Sequence, residues 1–154
     1  MGLDMYLSAK RYMSKYFDPA DTQKIDQVND IFGVEGIEDG DYGAQEVTFR
    51  VGYWRKANAI HAWFVQNCQE GRDECQETWV GREQLQALVE VCKQVLANKK
   101  KAAELLPSAS GFFFGSTEYD EWYYQDVEYT VTRLEKVLAD PALQKCDFYY
   151  QSSW

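Results

Sequence analysis

Arginine, lysine and histidine lie close together near the middle of the chain, in the segment YWRKANAIHAWF (53–64). Arg55 and Lys56 lie in the first turn of a predicted helix over 55–68, and His61, the only histidine, follows on the same helix. The free backbone N–H groups at the start of a helix attract anions, and an arginine fork, a lysine and an imidazole add further donors. The segment therefore predicts a site for a small anion. The alternative is a packing helix whose cations pair with carboxylates of the protein.

A second segment, SGFFFGSTEYDEWYYQD (110–126), supplies the groups that the first one lacks. Ser116 and Thr117 offer hydroxyl groups and backbone amides at the start of a predicted helix, with aromatic and acidic residues around them. This turn lacks the lysine and the glycine spacing of a P-loop, and an ordinary capped helix is the alternative.

We expect the two segments to form the walls of one cleft, with cations meeting a phosphate and aromatic rings stacking on a base. The candidate ligand-binding residues are Trp54, Arg55, Lys56, Asn58, His61, Phe113, Ser116, Thr117, Tyr119 and Asp120.

Other chemistries have less support from the residue types. His61 is the one candidate for a catalytic acid or base, which makes a small enzyme acting on a phosphorylated or nucleotide substrate an alternative interpretation. No cysteine pair has C-x-x-C spacing, and a single histidine cannot complete a common zinc set. We therefore predict no metal and no cofactor, and in the absence of a secretory signal we expect the cysteines to be reduced.

The negative charge of the chain is concentrated in one segment. The net charge is −9, and residues 18–46 hold nine acidic residues against one basic residue, Lys24, which gives −8. Such a surface repels nucleic acid, so direct nucleic-acid binding is not expected. The segment is interpreted either as a solvated loop or as a docking surface for a basic partner, in which case the chain is an acidic protein-interaction module.

Hydropathy patterns predict the elements that must position these residues. Alternation predicts strands at 3–13, at 45–54 and at the end of the chain. Helical spacing and capping signals predict helices between Asp18 and Gly33 and over 55–68, 81–102 and 118–139. The sequence therefore predicts an α+β fold: a small, mainly antiparallel sheet of about three strands with about four helices packed on it.

We also predict which faces of these elements are buried. In the helix 55–68 the core face is Ala57, Ile60 and Phe64, which places His61 on the rim of the cleft. In the strand 45–54 one face carries Val47, Phe49, Val51 and Tyr53. Thr117 is the expected N-cap of the last helix, and Trp122 is expected on its buried stripe. We predict one domain over 1–154, with residues 18–46 as a sub-lobe.

Three segments in this order, MGLDMYL (1–7), YWRKANAIHAWF (53–64) and SGFFFGSTEYDE (110–121), resemble a family of small proteins encoded by bacteriophages and by prophages in bacterial genomes. The resemblance spans most of the chain and is weakest in the acidic segment. It implies a setting rather than a chemistry: an accessory protein in the bacterial cytoplasm that serves host takeover or counter-defence by binding.

The residues and the resemblance together predict a non-catalytic protein that holds a small anionic, nucleotide-like ligand or caps a host protein. No membrane partner is expected, since no apolar run approaches the roughly 20 residues of a membrane span. Homo-oligomerisation is left open.

Overall fold

The computed structural model describes residues 2–35, 43–111 and 114–154. Within these ranges the strands are β1 (Asp4–Ser14), β2 (Ala44–Arg55), β3 (Thr78–Val80) and β4 (Asp147–Ser153). The α-helices are α1 (Pro19–Phe32), α2 (Asn58–Cys68), α3 (Arg82–Ala97), α4 (Ala102–Leu105) and α5 (Glu121–Ala139), and short 3₁₀ turns cover Lys99–Lys101 and Pro141–Leu143. The four strands form one antiparallel sheet in the order β2-β1-β4-β3.

The predicted α+β class and antiparallel sheet are confirmed, with one strand and one helix more than expected. The extra strand, β3, pairs with β4, and Trp79 lies opposite Tyr149 in that register. A strand of three residues is too short to show an alternation of polar and apolar side chains, so the hydropathy pattern did not predict it. The helix predicted over 81–102 ends at Ala97, and a 3₁₀ turn leads from it into α4.

The chain divides into two compact units, one of Met1–Ala9 with Phe49–Trp154 and a smaller one of Lys10–Thr48. The prediction of a single domain with an acidic sub-lobe remains a prediction. Residues 36–42 of the acidic sub-lobe lie outside the described residues.

In the smaller unit, α1 begins and ends as its sequence predicts. The Asp18 carboxylate caps the helix by accepting a hydrogen bond from a first-turn N–H, and Gly33 ends it in the left-handed conformation. Ile25 is buried, whereas Phe32, seven residues later on the same face of the helix, is 77% exposed. This face is therefore buried only over the first part of α1.

The core of the larger unit follows the periods of its elements. Alternate residues of β1 and β4 and one stripe of each long helix are buried, as periods of 2 and 3.6 residues require. The buried residues include Met5, Leu7, Phe148, Tyr150, Ile60, Phe64, Leu85, Leu88, Cys92, Val95, Val127, Leu134 and Val137. The core face predicted for the helix 55–68 is thus confirmed, because Ala57, Ile60 and Phe64 are all buried.

The buried face of β2 differs from the predicted one. Phe49 and Tyr53 are 47% and 45% exposed, while Gly52 and Trp54 are buried. The Trp54 ring lies so close to Gly52 that a Cβ there would be 2.8 Å from it. The buried face is thus formed by a glycine and a large aromatic ring. Because glycine has no side chain, the alternation of apolar residues did not predict this face.

Candidate functional site

Residues 55–60 and eight residues between Gly115 and Val127 line a cleft of about 350 Å³ in the larger unit. Arg55 is the last residue of β2, and Lys56 lies in the two-residue turn that leads from it to α2, which begins at Asn58. The expectation that these two cations occupy the first helical turn is therefore wrong. From the candidate set, the structure brings Arg55, Lys56, Asn58, Ser116 and Asp120 together in the cleft lining.

The start of α2 leaves backbone donors available at the cleft. The N-cap residue is Ala57, whose methyl group accepts no hydrogen bond, and no side chain within the described residues caps this turn. The amide of Asn58 donates to the Lys56 carbonyl at 2.9 Å. The next two amides, those of Ala59 and Ile60, precede the first intrahelical bond and belong to residues that line the cleft. Such a helix end attracts negative charge.

Lys56 is held at the cleft by a strained backbone and by close packing. Its φ is 57°, in the left-handed region, which costs a non-glycine residue about 1–2 kcal/mol. Its side-chain stem runs past two glycines: a Cβ on Gly2 would lie 3.2 Å from Lys56 Cε, and one on Gly115 would lie 3.2 Å from Lys56 Cβ. Glycine at 115 is further required by its own φ of 85°.

Three carboxylates share the cleft with the two cations. Glu118, Asp120 and Asp126 belong to its lining, yet within the described residues neither Arg55 nor Lys56 forms an ion pair with any of them. The alternative interpretation was that these cations pair with carboxylates of the protein. Among the described residues they do not.

Asp120 also starts α5. One carboxylate oxygen accepts a hydrogen bond from the Tyr123 N–H at 3.1 Å, and the helix begins at Glu121. The prediction of Thr117 as the N-cap is wrong, because the chain enters the helix three residues later. Thr117 is exposed and does not belong to the cleft lining; its carbonyl accepts a hydrogen bond from the Ser108 hydroxyl at 2.7 Å.

Asp126 is the most perturbed acid of the site. Burial raises the pKa of its carboxyl to about 6, and the nearby charge of Asp120 adds to the effect. A carboxyl with a raised pKa inside a cleft is a common mark of a functional residue. The sequence did not single it out, although its position between Tyr123 and Val127, next to the buried stripe of α5, was an available signal.

Replacing Asp126 with Asn is expected to raise the melting temperature at pH 8 and to change it much less near pH 4. A raised pKa in the folded state means that folding disfavours the ionised carboxylate, so the cost is absent below the unfolded value of 3.8 and complete above about 6. Thermal unfolding between pH 4 and pH 8 measures it. Glu128→Gln removes an exposed carboxylate from the same helix and should show no such dependence. Equal melting temperatures of Asp126→Asn and the parent at pH 8 would contradict the prediction.

Asn58 positions the second wall of the cleft. The side chain is buried, and its Nδ2 donates to the carbonyl oxygens of Phe114 at 3.1 Å and Ser116 at 2.7 Å. Its Oδ1 accepts a hydrogen bond from the Ala109 N–H at 3.0 Å. Because both amide hydrogens are engaged, Asn58 acts by holding Ala109 and residues 114–116 against α2 rather than by donating to a ligand.

His61 does not line the cleft, and its predicted position on the rim is wrong. The residue is 1% exposed; Nδ1 lies 2.7 Å from the Tyr150 hydroxyl, and Nε2 lies 2.9 Å from an Asp73 carboxylate oxygen. The other oxygen of Asp73 accepts a hydrogen bond from the Trp154 indole at 3.1 Å. Both imidazole nitrogens are thus engaged inside the protein. Neither partner could be identified from the sequence, since they lie 12 and 89 residues away.

Trp54 and Tyr119, two of the aromatic residues expected to stack on a base, do not line the cleft. Trp54 is buried, and its indole donates to the Thr130 hydroxyl at 2.9 Å. Tyr119 is partly buried and outside the cleft lining, and its hydroxyl accepts a hydrogen bond from the Ser108 N–H. Phe113 lies outside the described residues.

Two other aromatic residues line the cleft instead. Trp122, expected on the buried stripe of α5, is 74% exposed, and the buried stripe runs through its neighbour Tyr123. Tyr123 thus takes the place on the buried stripe that Trp122 was expected to occupy, while Val127 and Leu134 are buried on it at helical spacing. The Trp122 ring is left as an accessible surface of the site.

Comparisons of the chain with protein-family models, with curated proteins and with solved structures give no match. The site is therefore interpreted from its own geometry. In the parts of the chain that the structure describes, no helix has the length and apolar character needed to span a membrane. Over the same residues, no cluster of three or more His, Cys, Asp or Glu side chains is arranged to hold a metal ion.

Proposed function

We propose that the chain is a binding protein that holds a small anionic, nucleotide-like ligand in the cleft lined by residues 55–60 and by residues between Gly115 and Val127. The observation that carries this proposal is the pair Arg55 and Lys56, without ion-pair partners among the described residues, beside the uncapped start of α2. A phosphate placed there would accept hydrogen bonds from the guanidinium fork, the ammonium group and the amides of Ala59 and Ile60.

Two further features support a ligand at this place. The left-handed backbone of Lys56 is the kind of local strain that persists at binding sites, where the contact it creates offsets its cost. The volume of about 350 Å³ falls within the range of small-molecule sites. A small ligand is therefore favoured over a host protein as the occupant of the cleft.

The biological setting of this proposal comes from the sequence resemblance. An accessory protein of a bacteriophage or prophage, acting in the host cytoplasm, would serve host takeover or counter-defence by sequestering such a ligand. A host protein that docks over the cleft is the alternative within the same setting.

The other two functions have less support. The burial of His61 and the engagement of both its nitrogens count against its acting as acid or base on a ligand in the cleft. An acidic interaction module would depend on residues 18–46, of which 36–42 lie outside the described residues.

Replacing Arg55 with Ala is expected to weaken the binding of nucleoside monophosphates by about 1.5–3 kcal/mol, or about 10- to 150-fold, the scale of charged hydrogen bonds. The melting temperature should hardly change, because Arg55 is exposed and has no ion-pair partner among the described residues. Titration calorimetry with the four common ribonucleoside monophosphates and with inorganic pyrophosphate measures the effect.

Arg72→Ala is the matched control, since Arg72 is also exposed but lies in the loop after α2, outside the cleft lining. This variant should bind as the parent does. Equal affinities of Arg55→Ala and the parent, or the failure of every probe to bind the parent, would rule out the proposed function.

A further inference from the structure

The second wall of the cleft favours hydrogen-bond donors. Two cations and three carboxylates line the cleft, so its net charge is −1 when all are ionised. Ionised carboxylates only accept hydrogen bonds. Within the described residues, no basic side chain pairs with Asp126, and one oxygen of Asp120 already caps α5. A ligand that carried only negative charge would meet an unfavourable surface there, whereas one with donors at its far end would satisfy it.

A flat apolar surface belongs to the same wall. Trp122 is 74% exposed although it lines the cleft, and Tyr123 and Val127 contribute apolar surface beside it. An accessible indole next to hydrogen-bond acceptors suits a planar heterocycle, which can stack on the ring while its edge is read by the acceptors. The cleft therefore contains an anion-binding end, a stacking surface and a cluster of acceptors.

We infer that the ligand is a nucleotide whose base presents two adjacent hydrogen-bond donors, as guanine does, with its phosphate at Arg55, Lys56 and the start of α2 and its base at Asp120 and Asp126. This inference rests on the proposed function. Guanine places a ring N–H beside an exocyclic amino group, and two parallel donors match the two oxygens of one carboxylate. Adenine and cytosine place a donor beside an acceptor, and that acceptor would face a carboxylate oxygen of like polarity.

The same geometry makes the base preference depend on pH. Protonation gives the Asp126 carboxyl a donor beside its acceptor, the pattern that complements adenine or cytosine. The charged and titratable groups around it in the cleft are Asp120 and Glu118 before α5, Arg55 and Lys56 before α2, and Tyr123 on its own helix. Because the pKa of Asp126 is raised to about 6, the preference for guanine should be full at pH 8 and should shrink by pH 5.

The test is titration calorimetry of the full chain with guanosine, inosine and adenosine monophosphates at pH 8 and pH 5. Inosine monophosphate keeps the ring N–H and lacks the amino group, so it isolates one donor. At pH 8 guanosine monophosphate should bind about 10-fold more tightly than either analogue, the scale of one bidentate base contact. The Asp126→Asn variant, whose amide offers a donor and an acceptor, should lose this preference at both pH values, while Glu128→Gln should keep it.

The outcomes separate this inference from the proposed function. Equal binding of the three nucleotides, all weakened by Arg55→Ala, would overturn the guanine preference and leave the anion site standing. The same preference in Asp126→Asn as in the parent would overturn the role of the carboxylate. Failure of all three nucleotides and of inorganic pyrophosphate to bind would overturn both the inference and the proposed function.

Discussion

Phe64→Ala is expected to lower the free energy of unfolding by about 3–5 kcal/mol, the usual cost of removing a buried phenyl ring from a packed core. Phe64 is fully buried, and its ring stacks face to face on Tyr150 at a centroid distance of 4.0 Å. It also makes edge contacts with Trp54 at 6.1 Å and Trp63 at 5.5 Å. Truncation would therefore open a cavity among three rigid aromatic rings that cannot collapse into it easily.

Urea denaturation followed by circular dichroism measures this loss. Phe49→Ala is the control, because Phe49 is 47% exposed on β2 and its truncation should cost less than about 1 kcal/mol. A loss below 1 kcal/mol for Phe64→Ala would mean that α2 is not anchored in the core as described. The position of the proposed anion-binding end of the cleft, at the first turn of α2, depends on that anchoring.

The sequence predicted the long amphipathic elements well because their burial follows a single period. The stripes of α3 and the core face of α2 could be read directly, since each presents apolar residues at helical spacing. β3 was missed because three residues show no period. The buried face of β2 was misjudged because Gly52 has no side chain to count, although it makes room for Trp54.

The candidate site was predictable in its chemistry and not in its contacts. Complementary residue types on two distant segments suggested a shared cleft, and the described residues do place Arg55 and Ser116 in one lining. The prediction for His61 failed because the sequence did not show that this side chain is buried. His61 lies beside Ile60 on the inner side of α2, and only the folded chain supplies the partners Asp73 and Tyr150 that satisfy its nitrogens.

Asn58→Ala is expected to lower the free energy of unfolding by about 2–4 kcal/mol. The substitution removes three hydrogen bonds at a buried position and leaves their backbone partners without a hydrogen bond. The partners are two carbonyl oxygens and one backbone N–H that lie 51 to 58 residues further along the chain. The variant should also weaken nucleotide binding, because Ala109 and residues 114–116 would no longer be held against the start of α2.

Denaturation and hydrogen exchange at the Ala109 amide separate a positioning residue from a ligand-binding one. In Asn58→Ala the exchange of that amide should speed up without any ligand present, since its acceptor is gone. Asn67→Ala is the matched control: Asn67 lies on the same helix and its side chain makes one exposed hydrogen bond, to the Trp63 carbonyl, so the loss of that side chain should change neither stability nor binding much. If Asn58→Ala weakened binding while stability and exchange stayed at parent values, Asn58 would be a direct ligand contact. The second wall would then owe its position to other contacts, such as the packing of the Lys56 stem against Gly115.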